Sequence, residues 1–336
     1  MTKIKSIVFC SRKKLKNSML KSGFELCDAD FPPYFFDFVH HLMPLRLKFL
    51  NESFVAYDNK GILGLISLEK DEKSSKRLKI TKLFLEKNSY DIGKILVQYA
   101  ISRYCAMGAT SYVVTIENNC EDLLSLFVKG CSFSQNADEY IFNLKSENAD
   151  MFLEFCEEGF SFFKPQSAPQ VCKLYNSNIN SYQRHNFICS KEQFMPSFAS
   201  GLSEKIQFSY VLQDEQEGKV YGYFRIDTKN NVDYTLNFVI ERGYEIYFKD
   251  ALGFISNILS RRCKNWNLYI KVKSFFVNYD YFKSFLFDME LPLVKTSKIL
   301  TKDYLTKARE INFISSAKII FNDITPAFKS GHEIVN

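Results

Sequence analysis

Thr81-Lys82-Leu83-Phe84-Leu85-Glu86-Lys87-Asn88-Ser89-Tyr90-Asp91-Ile92-Gly93 falls without a gap on Thr235-Leu236-Asn237-Phe238-Val239-Ile240-Glu241-Arg242-Gly243-Tyr244-Glu245-Ile246-Tyr247 when the chain is laid on itself with an offset of 154, that is 235 minus 81. Thr, Phe, Tyr and Ile coincide, Leu85 meets Val239, and Asp91 meets Glu245. Four identities in thirteen decide little alone, so the flanks carry the argument. Upstream of each segment lie two strand-like runs joined by a turn: Ser53 to Tyr57 and Gly61 to Leu68 in the first half, Ile206 to Leu212 and Gly218 to Ile226 in the second. Downstream of each comes a helix of 3.6-residue apolar period, through Ile92, Ile95, Leu96, Tyr99 and Ala100 or through Ala251, Leu252, Ile255, Ile258 and Leu259. A strand then follows (Tyr112 to Ile116; Leu268 to Val272), a second helix (Glu121 to Val128; Tyr281 to Phe287) and a last strand (Glu139 to Leu144; Ser297 to Leu300). The order predicts an α/β chain with a mixed α+β sheet, built from two similar domains, 1–148 and 149–336. The polar break Ser146-Glu147-Asn148 sets the boundary; after it Met151 to Glu158 reads as helix, Phe160 to Phe163 opens the second sheet, and Pro169 starts a helix through Val171, Leu174 and Tyr175.

The composition fits this size. The chain has 336 residues, about twice a usual domain of roughly 150. With 46% hydrophobic residues, 24% charged, 13 Gly and 8 Pro, it can bury a core. The net charge of +6 is too small to argue a nucleic-acid partner. Nine scattered cysteines without a C-x-x-C pair support neither a disulfide framework nor a metal site and fit a reducing cytoplasm. The apolar start before Arg12, Lys13 and Lys14 is short for a secretory signal, and no stretch reaches the roughly 20 apolar residues of a membrane span.

Chemistry concentrates where the strand Ile80 to Leu85 runs through Glu86 to Asp91 into the helix starting near Ile92. The first N–H groups of a helix lack internal partners and carry the positive end of its dipole, so an anion sits there readily, and Gly93 would let the backbone approach it. Gly93 reads as an exposed loop position with few core contacts.

At these residues the sequence resembles the GNAT superfamily of acyl-CoA-dependent N-acyltransferases, arranged as a tandem GNAT protein. The family's pyrophosphate signature, Q/R-x-x-G-x-G/A, falls on Asn88 to Gly93; Gly93 matches its last position, while Asp91 stands for a Gly and Asn88 for Gln or Arg. The second-half run Arg242 to Tyr247 keeps Arg242 but puts Tyr247 on the last Gly. The resemblance therefore implies acetyl-CoA or a longer acyl-CoA held in the first domain by Leu83, Phe84, Leu85, Asn88, Ser89, Tyr90, Asp91, Ile92, Gly93 and Lys94, without a metal, and a second domain of substrate or structural role. It implies Glu86 as the base and Asn119 as a kept amide, and it places His40, His41 and His185 where substrate-facing helices fall. The usual Tyr acid is missing, because Leu126 or Phe127 holds its position, and Cys131 or Tyr140 are the substitutes at hand. The aromatic runs Phe31 to Phe38 and Phe160 to Phe163 could line an acyl channel, and Lys76-Arg77 and Arg261-Arg262 could meet a phosphate or a carrier. The implied activity is transfer of an acyl group from acyl-CoA, or from an acyl carrier protein, to an amine of a small metabolite or peptide side chain. Two alternatives stay open: an aminoacyl-tRNA-dependent transferase of tandem type, and a non-catalytic scaffold in which both sites have decayed.

Overall fold

The structure, a computed structural model, describes residues 3–6, 23–26, 52–59, 61–70, 77–86, 89–152, 154–195, 206–214 and 218–304. Along the first half run β1 (Lys3–Ser6), β2 (Gly23–Leu26), β3 (Glu52–Tyr57), β4 (Ile62–Lys70), β5 (Arg77–Glu86), α1 (Tyr90–Cys105), β6 (Ser111–Glu117), α2 (Glu121–Ser125), a π-helical turn Leu126–Gly130 and β7 (Ser134–Lys145). The second half supplies β8 (Phe160–Phe162), α3 (Ala168–Ser177), α4 (Arg184–Phe187), β9 (Ile206–Gln213), β10 (Val220–Thr228), β11 (Asp233–Ile240), α5 (Phe248–Arg262), β12 (Asn267–Lys273), α6 (Tyr279–Asp288) and β13 (Leu293–Asp303).

All thirteen strands join one mixed sheet in the order β1-β3-β4-β5-β6-β13-β7-β12-β11-β10-β9-β8, with β2 on β5 off this path. The order is a palindrome of the sequence repeat: β3, β4, β5 and β6 on one side of the centre mirror β9, β10, β11 and β12 on the other. At the centre the halves exchange strands. Among the described residues the last strand of the first half, β7, pairs only with β12 and β13, both from the second half, and β13 pairs only with β6 and β7 of the first.

Strand side chains alternate between faces, and the packing follows from that. On one face Tyr112, Val114 and Ile116 of β6 meet Leu96, Val97, Ala100 and Ile101 of α1; in the mirror position Leu268, Ile270 and Val272 of β12 join the cluster of Leu252, Ile255 and Leu259 from α5 and Leu286 from α6. On the opposite face Val113, Ile299, Tyr223 and Val239 pack with Val171 and Leu174 of α3 and with Phe187. Trp266, the chain's single Trp, is buried and donates its indole N–H to Ser260 Oγ at 3.1 Å.

The repeat and its strands thus stand largely as the residues predict, with two differences. Met151 to Glu158 is not a helix: a 3-10 helix spans Ser146–Phe152 and ends there. It is wedged against α5, where a Cβ on Gly253 would lie 2.4 Å from the Phe152 carbonyl, so only a glycine admits that approach. Of Phe160 to Phe163, offered as channel lining, Phe160–Phe162 form an edge strand in which Phe160 stacks on Phe254 at 4.9 Å, and Phe163 follows it. Phe31 to Phe38, with His40 and His41, lies outside the described residues.

Candidate active site

Strand β5 sets the geometry. It pairs in parallel with β6 only from Arg77 to Ile80. Against β4 its register slips there, Ile80 facing Leu68 and Lys82 facing Ser67, so Thr81 is an extra residue in the ladder. Such a bulge bends a strand and raises its twist, and here it turns β5 away from β6. The side-chain pattern reports the slip: Leu78 and Ile80 point into the core under α1, and after the bulge Leu83 and Leu85 do so. Thr81 Oγ1 donates to the Ser67 carbonyl at 3.5 Å across the irregularity. The diverging end of β5 runs straight to the N-terminus of α1, and the edge it turns from β6 carries β2, which pairs Gly23 with Glu86, Phe24 with Leu85, Glu25 with Phe84 and Leu26 with Leu83.

Of the residues the sequence singles out around this wedge, Leu83, Phe84 and Leu85 are buried on β5. Asn88 lies outside the described residues. Ser89 is the N-cap of α1; its hydroxyl donates to the Glu86 carbonyl and makes no capping bond to the first turn. The N–H groups of Tyr90, Asp91 and Ile92 precede the first internal bond, Gly93 N–H to Ser89 carbonyl at 3.0 Å, and so lack helical partners. Tyr90 is exposed and its hydroxyl donates to the Ser125 carbonyl at 3.3 Å, tying the start of α1 to α2. Asp91 and Lys94 are exposed at the helix start, and Ile92 is half-buried against the core. Gly93 is not an exposed loop residue. It is buried in α1, where a Cβ would lie 2.7 Å from Leu126 Cδ2 and 2.8 Å from Leu85 Cδ1; its missing side chain lets the helix close on the strand and the π-helical turn.

Glu86 and Asn119 sit at the C-terminal ends of the parallel strands β5 and β6, at the same end of the sheet. Asn119 is exposed, and its Oδ1 accepts from the Cys120 thiol at 3.4 Å. His185 is elsewhere. Its Nε2 lies 3.8 Å from Asp303 Oδ2, and Asp303 faces Ser111 at the opposite end of β6. Leu126 and Phe127, at the position of the missing Tyr, are buried apolar groups. Cys131 is buried too, and burial pushes its thiol up to about 11, partly offset by Lys302 and Lys94. Of the basic pairs, Arg77 is buried and donates to the Ile188 carbonyl at 3.0 Å, and Arg262 lies over the Phe208 ring at 4.5 Å.

The mirror wedge differs. Strands β11 and β12 pair from Asp233 to Asn237, then part without a bulge in β11. Between them lies a narrow cleft with room for little more than a water molecule, lined by Phe238 and Val239 of β11, Lys271 and Lys273 of β12, and Phe276, Asn278 and Phe282 beyond. The loop after β11 is closed on itself. Gly243, at φ +94°, donates its N–H to Glu245 Oε2 at 2.7 Å, and the buried Asn278 Nδ2 donates to the Ile240 carbonyl at 3.0 Å and Glu245 Oε1 at 3.3 Å. Tyr244 stacks on Tyr221 with ring centres 4.0 Å apart, and a 3-10 turn, Glu245–Tyr247, delays α5 to Phe248. The offset that aligns the strands therefore fails at the helix start: Tyr90 to Gly93 is α-helix, whereas Glu245–Tyr247 is a 3-10 turn and the α-helix begins only at Phe248.

Solved structures share this architecture. A tandem GNAT protein from the clavulanic acid biosynthesis pathway, solved without AcCoA, is similar over 90% of this chain and 99% of its own, at 11% identity and a TM-score of 0.57. The chain has the tandem GNAT fold. A GCN5-related N-acetyltransferase from Sphaerobacter thermophilus is similar over 75% of this chain and 80% of its own, at 10% identity and a TM-score of 0.53. The sequence matches no family model and no curated protein. Among the described residues no helix is long and apolar enough to cross a membrane.

Proposed function

We propose that this protein is an N-acyltransferase that takes an acyl group from acyl-CoA and gives it to an amine, with the donor in the first-half wedge. The observation that supports the reading is the bulge at Thr81, beyond which β5 parts from β6 and leads to the N-terminus of α1. The fit is chemical: the N–H groups of Tyr90, Asp91 and Ile92, with Lys94 beside them, suit a pyrophosphate. Acyl-CoA supplies a thioester carbonyl and a thiolate that leaves without protonation near neutral pH, its pKa being that of an ordinary thiol. Backbone N–H groups of β5 around Leu85 polarise the carbonyl and orient it toward the acceptor. Glu86 takes the proton from the acceptor amine as its nitrogen bonds to the carbonyl carbon and the carbon–sulfur bond breaks. Asn119, at the same end of the sheet, holds the donor by its amide. No acid is needed at Leu126 or Phe127. The acceptor is an amine of a small metabolite or a peptide.

The test is release of free coenzyme A thiol from acetyl-CoA and longer acyl-CoAs in the presence of amines. Glu86→Gln should lower the turnover rate by on the order of a hundredfold, the usual scale for losing a general base, with little change in KM for the donor. Full activity in that variant removes Glu86 as the base. A non-catalytic reading is favoured by one observation, the pairing of β2 on the edge of β5 that the donor would use. Absence of acyl-CoA binding at any concentration tested decides for it.

A further inference from the structure

The first-half wedge already holds a strand of this chain. A strand has two edges, and beyond the bulge β4 takes one edge of β5, Gly64 facing Leu85, Leu65 facing Phe84 and Ile66 facing Leu83. Strand β2 pairs with the same β5 residues, so it holds the other edge, the one that β6 holds from Arg77 to Ile80. It therefore lies antiparallel to β5 in the opening between β5 and β6. The repeat shows that the fold does not require it. Beyond Asn237 β11 also parts from β12, yet among the described residues β11 pairs only with β10 and β12, and the gap is lined by side chains, Phe238 meeting Phe282 at 4.9 Å between ring centres. The pairing of β8 on β9 repeats that of β1 on β3, and β2 alone has no counterpart among the described strands. Its hold is short. Among the described residues β2 pairs with β5 alone, over four residue pairs, and a single short ladder stands at the low end of local stability. It reaches Glu86 with Gly23 and stops short of the N–H groups of Tyr90, Asp91 and Ile92 at the start of α1.

We propose that β2 is a built-in strap: it occupies the β5 edge that the arm of acyl-CoA pairs with, and the arm enters only when β2 is released. This deepens the acyltransferase reading and rests on its placing the donor in the first wedge. The arm between pyrophosphate and thioester carries secondary amides, which pair with a strand edge as a peptide does, so arm and β2 compete for the same backbone N–H and C=O groups. A donor that binds only the released form has its apparent affinity reduced by the fraction released. A nucleotide without the arm meets no such competitor, since its pyrophosphate goes to the helix start.

Calorimetric titration of the full chain, and of its Phe24→Pro and Glu25→Pro variants, with acetyl-CoA and with ADP tests it, since ADP has the pyrophosphate and lacks the arm. Neighbouring N–H groups of a strand point to opposite edges, so one of the two prolines removes a bond to β5. At least one variant should bind acetyl-CoA about tenfold more tightly than the parent, as for a strap closed about nine-tenths of the time, while ADP binds all three chains alike. Equal acetyl-CoA affinity in the three chains overturns the strap and leaves the donor reading standing. ADP affinity that rises together with that of acetyl-CoA also overturns it, because β2 would then not act on the arm. No acetyl-CoA binding by any of the three overturns the donor reading and the strap with it. Amide hydrogen exchange of the unliganded parent needs no variant: the slowest amide of Gly23 to Leu26 should exchange about tenfold or more faster than the slowest of Gly64 to Ile66 on the other edge of β5, and equal protection overturns the strap.

Discussion

Gly93 shows how one residue serves structure before it serves a ligand. The sequence reading takes its place in the signature as a sign of backbone approach to phosphate. The structure gives the missing Cβ to Leu126 and Leu85 instead. Gly93→Ala should therefore cost about 1–3 kcal/mol by overpacking, read as a fall in denaturation midpoint at unchanged slope. An unchanged midpoint would mean that the helix can shift freely there. Glu139 gives a second residue-scale test. Burial is the largest influence on it and would raise its pKa, yet Lys271, Lys273, Lys79 and Lys295 together outweigh burial and hold the carboxyl below its ordinary range. A carboxylate with a depressed folded pKa adds stability above its unfolded value of about 4.3, and that stability is lost as pH falls through the folded value. Glu139→Gln should be less stable than the parent by about 1–3 kcal/mol at pH 7, and the gap should shrink below about pH 4. A gap that is constant down to pH 2 would show that the charge is not its source.

At the scale of elements, much was legible because strands and helices leave periodic marks. The runs Ser53 to Tyr57 and Ile206 to Leu212, the helix after Gly93 and the strand Leu268 to Val272 all appear within a few residues of their predicted bounds. The bulge was legible in principle: Leu78 and Ile80 hold one phase and Leu83 and Leu85 the other, a shift that a single alternating strand cannot make. Reading Ile80 to Leu85 as one apolar run hid it. The closed second loop was hidden for another reason. Tyr247 draws attention as an obstruction by size, whereas Glu245 closes the loop by hydrogen bonding to Gly243 and Asn278, and Asn278 lies 33 residues away. Lys271, Lys273 and Glu139 carried no motif, since they meet only because β7 lies beside β12.

For the molecule as a whole, the exchange of β7 and β13 makes each repeat dependent on the other. Cut between 148 and 149, the first piece keeps β7 but loses both its partners, and the second keeps β13 but loses both of its own. Strand edges so exposed are aggregation-prone. Residues 1–148 and 149–336 expressed apart should give no cooperative unfolding transition, while together they should copurify one to one; two soluble, cooperatively folded monomers would contradict the exchange. The central claim, that the first wedge takes the donor, rests on the bulged β5 and the open start of α1. Amide hydrogen exchange of the full chain with and without acetyl-CoA tests it most directly. The account predicts added protection at Ser89 to Lys94, faster exchange at Gly23 to Leu26 as the donor takes over the β5 edge, and no change at Gly243 to Phe248. Protection confined to Gly243 to Phe248, or none in either loop at saturating acetyl-CoA, would contradict it.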